Sequence, residues 1–208
     1  MRMLRSFLIG LFITIVGIAA LMLLPSKQSD APMPWQVTTM PDGNSQVFGI
    51  HLGTTTYRQA QEGFHEYGKT AIFTQEGEEP SVEAFFDSIH LGGLSAKVVL
   101  NLNVDSLQIN DMKSRAMEAR LQQSGAHRYE LSNEDNASLI NAQITAVSYI
   151  PSVKLNPKMM RYRFGEADSI EQDSINPATE IWHYHAIGLT VRMNENEKTI
   201  MEYRLINQ

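Results

Sequence analysis

Apolar and polar positions divide the chain into segments of different period. Residues 7–24 form an uncharged apolar run of eighteen residues, FLIGLFITIVGIAALMLL. At about 1.5 Å rise per residue such a run reaches roughly 27 Å, close to the thickness of a bilayer hydrocarbon core. The pattern then breaks. Pro25, Pro32 and Pro34 interrupt a polar stretch, and Pro41-Asp42-Gly43-Asn44 is a strong turn signal, so residues 26–46 read as a linker. From Val47 a helical period appears, with Tyr57, Ala60, Phe64 and Tyr67 on one face of a helix over residues 55–67. Thr56 and Gln59 have the spacing of a capping box, and Gly68 reads as the residue that closes the helix.

Runs rich in aromatic and β-branched residues predict strands at 70–75, 82–91 and 94–102, the last two joined by Gly92-Gly93. A second helix is predicted at 111–123, where Met112, Ala116 and Ala119 share a face and Met117 pairs with Leu121, until Ser124-Gly125 stops it. Residues 144–150 alternate as a strand does and end at Pro151. Asn156-Pro157 marks a helix start, Met160 pairs with Phe164, and Gly165 closes a short helix. Strands are predicted at 181–187, 189–193 and 199–206, joined by Gly188 and by Asn194-Glu195-Asn196-Glu197.

The last third therefore repeats the plan of the first. Leu52-Gly53 answers Leu155-Asn156, Phe64 answers Phe164, Gly93-Leu94 answers Gly188-Leu189, and Asn101-Leu102-Asn103 answers Asn194-Glu195-Asn196. This predicts an α+β chain in five parts: 1–25 as a transmembrane signal anchor, 26–46 as linker, 47–110 as a first helix-plus-antiparallel-meander unit, 111–143 as a helical insert, and 144–208 as a second unit. Each unit is expected to bury its own helix against its own sheet, with the sheet faces or the groove between the sheets as binding surface.

Charge places the parts. Arg2 and Arg5 precede the apolar run, which favours a cytoplasmic N-terminus and puts everything after it on the far side of the membrane. A cleaved secretory signal has the same charge asymmetry, but a shorter apolar core and a small-x-small cleavage site. Here Ala19-Ala20 lies inside the run, and Ser29-Asp30-Ala31 is followed by Pro32. The reading is an uncleaved, single-pass anchor in an inner membrane with a periplasmic C-terminal domain. With no cysteine, disulfides, thiolate metal ligands, a cysteine nucleophile and a lipidated cysteine are all excluded. At 43% hydrophobic residues, burial alone is enough to build a core. Setting aside Arg2 and Arg5 leaves fifteen of the seventeen basic residues against twenty-three acidic ones, a net charge near −8 outside the membrane. Such a balance argues against nucleic acid and against general adhesion to anionic lipid.

The C-terminal unit carries a family likeness. Arg163-Phe164-Gly165-Glu166, Trp182-His183-Tyr184 and Gly188-Leu189-Thr190-Val191 occur in the order helix ending in Phe-Gly, Trp-x-Tyr strand, Gly-Leu turn and strand. In this the chain resembles the small envelope modules of the SmpA/OmlA type. These belong to the outer-membrane assembly factor BamE and share their architecture with the repeats of beta-lactamase inhibitor protein. The resemblance implies helices packed on one face of an antiparallel sheet and a role in holding other proteins together. It covers about fifty residues at the C-terminus and, more weakly, residues 47–110. The lipidated cysteine of BamE has no counterpart here, so an outer-membrane location does not carry over.

Candidate chemistry is sparse. His183 and His185, two apart on a predicted strand, would point the same way toward a metal, with a carboxylate from Glu180, Glu202 or residues 166–173 as a further ligand. The opposing reading turns Trp182, Tyr184 and Ala186 to the covering helix and both histidines to solvent. His51, His65, His90 and His127 are scattered. Asp87-Ser88-Ile89-His90 juxtaposes triad residue types without a nucleophile elbow. Glu78-Glu79, Glu134-Asp135 and the Glu166, Asp168, Glu171, Asp173 run read as solvated turns. No catalytic residue, cofactor or phosphate loop is identified. The expectation is a non-catalytic, membrane-anchored module that binds or scaffolds another envelope protein. The alternatives are an inhibitor or modulator of an envelope enzyme, and a metal-binding protein using His183 and His185.

Overall fold

The computed structural model describes residues 33–206 apart from positions 92, 117, 123 and 124. The anchor reading of residues 7–24 lies outside the described residues, as do Gly92 of the predicted glycine turn and Met117 of the predicted second helix. Among the described residues no helix is long and apolar enough to cross a membrane. The chain is α+β, with antiparallel sheets and four described α-helices.

The segment read as a linker is built into the fold from residue 33 onward. Strands β1 (Thr38–Thr39), β2 (Ser45–Val47) and β3 (Ile50–His51) form a small antiparallel sheet. Its turn places Phe48 at a positive φ of 53°, where the ring lies 4.9 Å from Tyr149 and edge-on to Tyr203. Tyr203 Oη donates to Pro34 O at 2.6 Å, and Ser45 Oγ to Ile187 O at 2.8 Å. The sequence signals missed this because proline and turn residues dominate the segment, while what orders it is contributed 140 to 170 residues later.

Helix α1 (Tyr57–Phe64) starts at the predicted capping box, with the Gln59 side chain accepting from the Thr56 backbone N–H at 2.9 Å. It ends sooner than predicted. His65, not Gly68, takes the left-handed conformation at the C-cap, with φ 55°. Tyr67 therefore leaves the buried face and is 86% exposed. Gly68 serves a different need: a Cβ there would sit 2.8 Å from both the Phe86 ring and Tyr57 Oη, and Tyr57 Oη donates to Gly68 O.

Strands β4 (Lys69–Thr74), β5 (Ser81–Leu91) and β6 (Leu94–Leu102) follow within a residue or two of prediction. The predicted helical insert does not hold as drawn. Asp105 accepts from Gln108 N–H and starts α2 (Ser106–Ser114) five residues early, burying Ile109 and Met112. Residues assigned to the same helix instead form β7 (Glu118–Leu121), which pairs with β8 (His127–Glu130). Ala119 after Ala116 and Leu121 after Met117 fit a helical spacing, while Ala119 and Leu121 together fit a strand alternation, and pairing with β8 decides for the strand. Helix α3 (Asn133–Ser138), capped by Ser132, precedes β9 (Ile144–Pro151).

Helix α4 (Pro157–Phe164) begins at Asn156 and ends at Gly165 as read. Next comes β10 (Ser169–Gln172), inside the acidic run taken for a loop, and then β11 (Thr179–Tyr184). Residues 185–187 continue as a 3₁₀ turn rather than as strand. Gly188 ends this turn at φ 59°, where a Cβ would lie 2.4 Å from Arg204 O, so no other residue fits. Strands β12 (Leu189–Asn194) and β13 (Ile200–Arg204) complete the second meander.

The larger sheet has the order β10-β11-β12-β13-β9-β6-β5-β4-β8-β7, with every neighbour antiparallel. Two helix-then-meander stretches are present, but not as two sheets with a groove between them. Strand β9 pairs with β6 on one side and β13 on the other, so both meanders belong to one surface. The apolar alternation of each strand supplies the inner face: Val82, Ala84 and Phe86, then Val98 and Leu100, Val147 and Tyr149, Met201 and Tyr203, Leu189 and Val191, Trp182 and Tyr184, all buried. All four helices lie on this side. Tyr57 and Phe64 of α1 meet Phe86, Phe164 of α4 meets Tyr184, Ile109 and Met112 of α2 join the same core, and Asn136 of α3 bonds Thr70.

Candidate functional site

With the helices on one side, the opposite face of the sheet carries no helix among the described residues. Register defines a row of side chains on that face crossing eight strands in the order Ser169, His183, Thr190, Glu202, Ser148, Val99, Phe85 and Lys69. A second row runs Arg204, Ala146, Asn101, Glu83, Ala71, Glu130 and Glu118. Most of these positions are half-buried.

The face is chemically graded. Toward β4 it is aromatic and cationic: Phe73 and Phe85 lie 5.4 Å apart, the Arg128 guanidinium sits 5.7 Å from the Phe85 ring, and Lys69 pairs with Asp87 at 3.3 Å. In the centre are two carboxylates, Glu83 and Glu202. Burial raises the Glu83 pKa from the ordinary carboxylate range and the nearby Glu202 charge adds to this, while a hydrogen bond from Ser81 opposes it. Glu202 is bound by Arg204 at 2.9 Å. In their rows Glu83 stands between Asn101 and Ala71, and Glu202 between Thr190 and Ser148.

At the far end lie the predicted histidines. His183 faces the open side, its Nε2 3.2 Å from Glu171 Oε1 and its Nδ1 3.4 Å from Thr190 Oγ1. Trp182 and Tyr184 are buried beneath α4, as the alternation required, whereas Ala186 is exposed in the 3₁₀ turn. His185 has left the strand, yet its ring stacks on that of His183 at 5.8 Å and 10°. Its backbone N–H donates to Asp168 Oδ2 at 2.7 Å. The two imidazoles are thus brought together, but no group of three or more histidines and carboxylates among the described residues is placed to hold a metal ion. Glu180, named as a further ligand, instead accepts from Trp182 Nε1 at 3.0 Å on the other face.

The remaining candidates separate into structural parts. His90 bonds Ser95 Oγ at 3.1 Å, and His51 bonds Asp42 at 2.9 Å. Asp135 and Asp173, read as solvated turn acids, are buried. Asp135 meets Arg115 at 2.7 Å and Asp173 meets Arg192 at 2.8 Å. The Arg115 hydrogen bond lowers the Asp135 pKa; the backbone N–H groups of Ile175 and Asn176 lower that of Asp173. A cleft of about 510 Å³ between α1, α3 and β4 is lined by Tyr57, Lys69, Arg128 and Asn136. Burial pushes the Tyr57 phenol up to about 12, and its hydroxyl is occupied with Gly68 O.

The sequence reading singled out the histidines and expected the faces of two separate sheets, or the groove between them, as binding surface; that they form one face is decided by the pairing of β9 with both β6 and β13. Comparison with protein families, characterised proteins and solved structures returns no match.

Proposed function

We propose that the chain is a single-pass protein of the bacterial inner membrane whose periplasmic domain binds another envelope protein and does no chemistry itself. The observation that carries this reading is the sheet face that no helix covers among the described residues. A ten-stranded surface whose apolar, aromatic and charged positions lie in continuous rows has the mixed character of a protein-binding patch: aromatic and arginine anchors with a polar surround. The paired helix-plus-meander layout agrees with the likeness to SmpA/OmlA modules, whose role is to hold other proteins together. The anchor assignment rests on Arg2, Arg5 and the apolar run 7–24.

The test is site-specific photocrosslinking in membranes. A photoreactive residue at Val99 or Phe85 is expected to give one discrete adduct that Ser148→Arg abolishes. The same probe at Leu107, exposed on α2 on the other side of the sheet, is expected to give none. Equal labelling from both sides, or none from the open face, overturns the reading. A periplasm-dependent reporter fused after Gln208 is expected to be active, and an N-terminus found near Ala31 would remove the anchor.

A further inference from the structure

The helix α4, PKMMRYRF, carries Lys158, Arg161 and Arg163 and no acid, in a domain whose overall balance is strongly acidic. Met160 is buried and Phe164 packs on Tyr184, so the apolar side of the helix is used up in the core. Its other side is exposed and consists of Lys158, Met159, Arg161, Tyr162 and Arg163, with Tyr162 81% exposed. The Arg163 guanidinium lies between two rings, 4.2 Å from Trp35 and 5.3 Å from Tyr162. Glu166 pairs with Arg161 at 3.1 Å, and among the described residues Lys158 and Arg163 have no ion-pair partner.

Two observations indicate what covers this patch. The first is chain length. Trp35 stands eleven residues after Leu24, the end of the apolar run, and eleven extended residues reach at most about 36–40 Å. The second is composition: tryptophan, tyrosine and arginine together are the set that settles at the headgroup level of a bilayer, the rings in the interface and the cations on lipid phosphates. We infer that Trp35 and the exposed side of α4 dock on the anionic phospholipid surface of the membrane that residues 7–24 enter. This rests on the anchor reading proposed above. Because the apolar side of α4 is already committed to the core, the contact is with headgroups and not an insertion of the helix. General adhesion is opposed by the acidic balance of the domain, so the basic patch would set orientation: one face of the domain down.

The experiment uses the full chain in nanodiscs of phosphatidylcholine alone or mixed with phosphatidylglycerol, with bromine on the acyl chains near the headgroup as quencher. The chain has two tryptophans, and Trp182 is buried, so the difference between wild type and Trp35→Phe isolates the Trp35 signal. Quenching of Trp35 is expected to be roughly two-fold or more greater in the anionic discs, as electrostatic attraction to anionic lipid requires. Lys158→Gln with Arg163→Gln, or Tyr162→Glu alone at its exposed position, is expected to abolish the difference while circular dichroism is unchanged. A chain that enters discs but shows no quenching, or quenching independent of lipid charge, overturns the docking and leaves the anchor standing. A chain that does not enter discs overturns the anchor and the docking with it.

Discussion

Removing one hydroxyl tests whether residues 33–46 belong to the fold. Tyr203 is fully buried on β13, and its Oη donates to the carbonyl of Pro34 across 169 positions of sequence. Burial also raises its pKa well above the ordinary phenol value, so the hydroxyl is a neutral donor throughout the physiological range. Tyr203→Phe keeps the ring that Phe48 meets edge-on and takes away only the donor. A balanced hydrogen bond is worth about 0.5–1.5 kcal/mol, and leaving the Pro34 carbonyl buried without a partner costs about 1–3 kcal/mol. The second figure applies, because Pro34 is itself buried and the bond lies in the interior. At about 2–4 °C per kcal/mol for a domain of this size, a loss near 2 kcal/mol lowers Tm by about 4–8 °C. Urea unfolding followed by circular dichroism gives the stability. Hydrogen exchange at Gln36, whose N–H bonds Met33 O at 2.9 Å, reports whether the segment loosens first. A change below about 0.3 kcal/mol, with Gln36 exchange unaltered, would refute the docking and return residues 33–46 to the status of a free linker.

Two further outcomes follow from the second meander and from α3. Trp182→Ala should cost about 3–5 kcal/mol in urea unfolding, because the indole is buried under the Arg161 guanidinium, while His183→Ala on the open face should cost about 0.5 kcal/mol; the reverse order would mean that β11 has the opposite phase. Asp135 has a folded-state pKa lowered chiefly by Arg115, so its contribution is present above the unfolded-state value and fades as pH falls through the folded one. The stability gap between wild type and Asp135→Asn should therefore be constant near neutral pH and close below about pH 4; a gap that widens on acidification would show that the ion pair is not formed.

What could be read from the sequence was what is decided locally. The capping box at Thr56, the Asn156-Pro157 start of α4, the Gly188 turn, the aromatic and β-branched runs of β5 and β6 and the alternation of β9 each depend on neighbours within a few residues, and each stands within a residue or two of where it is read. The misreadings share one cause. Residues 118–121 read as helix because Ala119 follows Ala116, and Leu121 follows Met117, at helical spacing, and β8 settles the matter through pairing. Residues 169–172 read as a charged loop because they lie within the acidic run Glu166, Asp168, Glu171 and Asp173, and their strand character comes from pairing with β11. The turn acids Asp135 and Asp173 looked solvated because Arg115 and Arg192 reach them from other elements.

The same reasoning explains why the joining of the two meanders was harder to foresee than their strands. Strand β9 shows a plain alternation, with Val147 and Tyr149 inward and Ser148 outward, and nothing in it says that it has two partners. Yet its position between β6 and β13 turns two meanders into one surface in mirrored order, β6-β5-β4 on one side and β13-β12-β11 on the other. Without β9 each meander would end in an edge strand, and edges of that kind invite unwanted pairing. With it the free edges move to β7 and β10, both short, and β7 carries the Glu118–Arg120 ion pair that disfavours strand addition. Joining the halves through β9 therefore does two things with one strand. It removes two central edges, and it places Val99, Ser148 and Glu202 side by side in the middle of a single uncovered face, where a partner large enough to touch both meanders would rest.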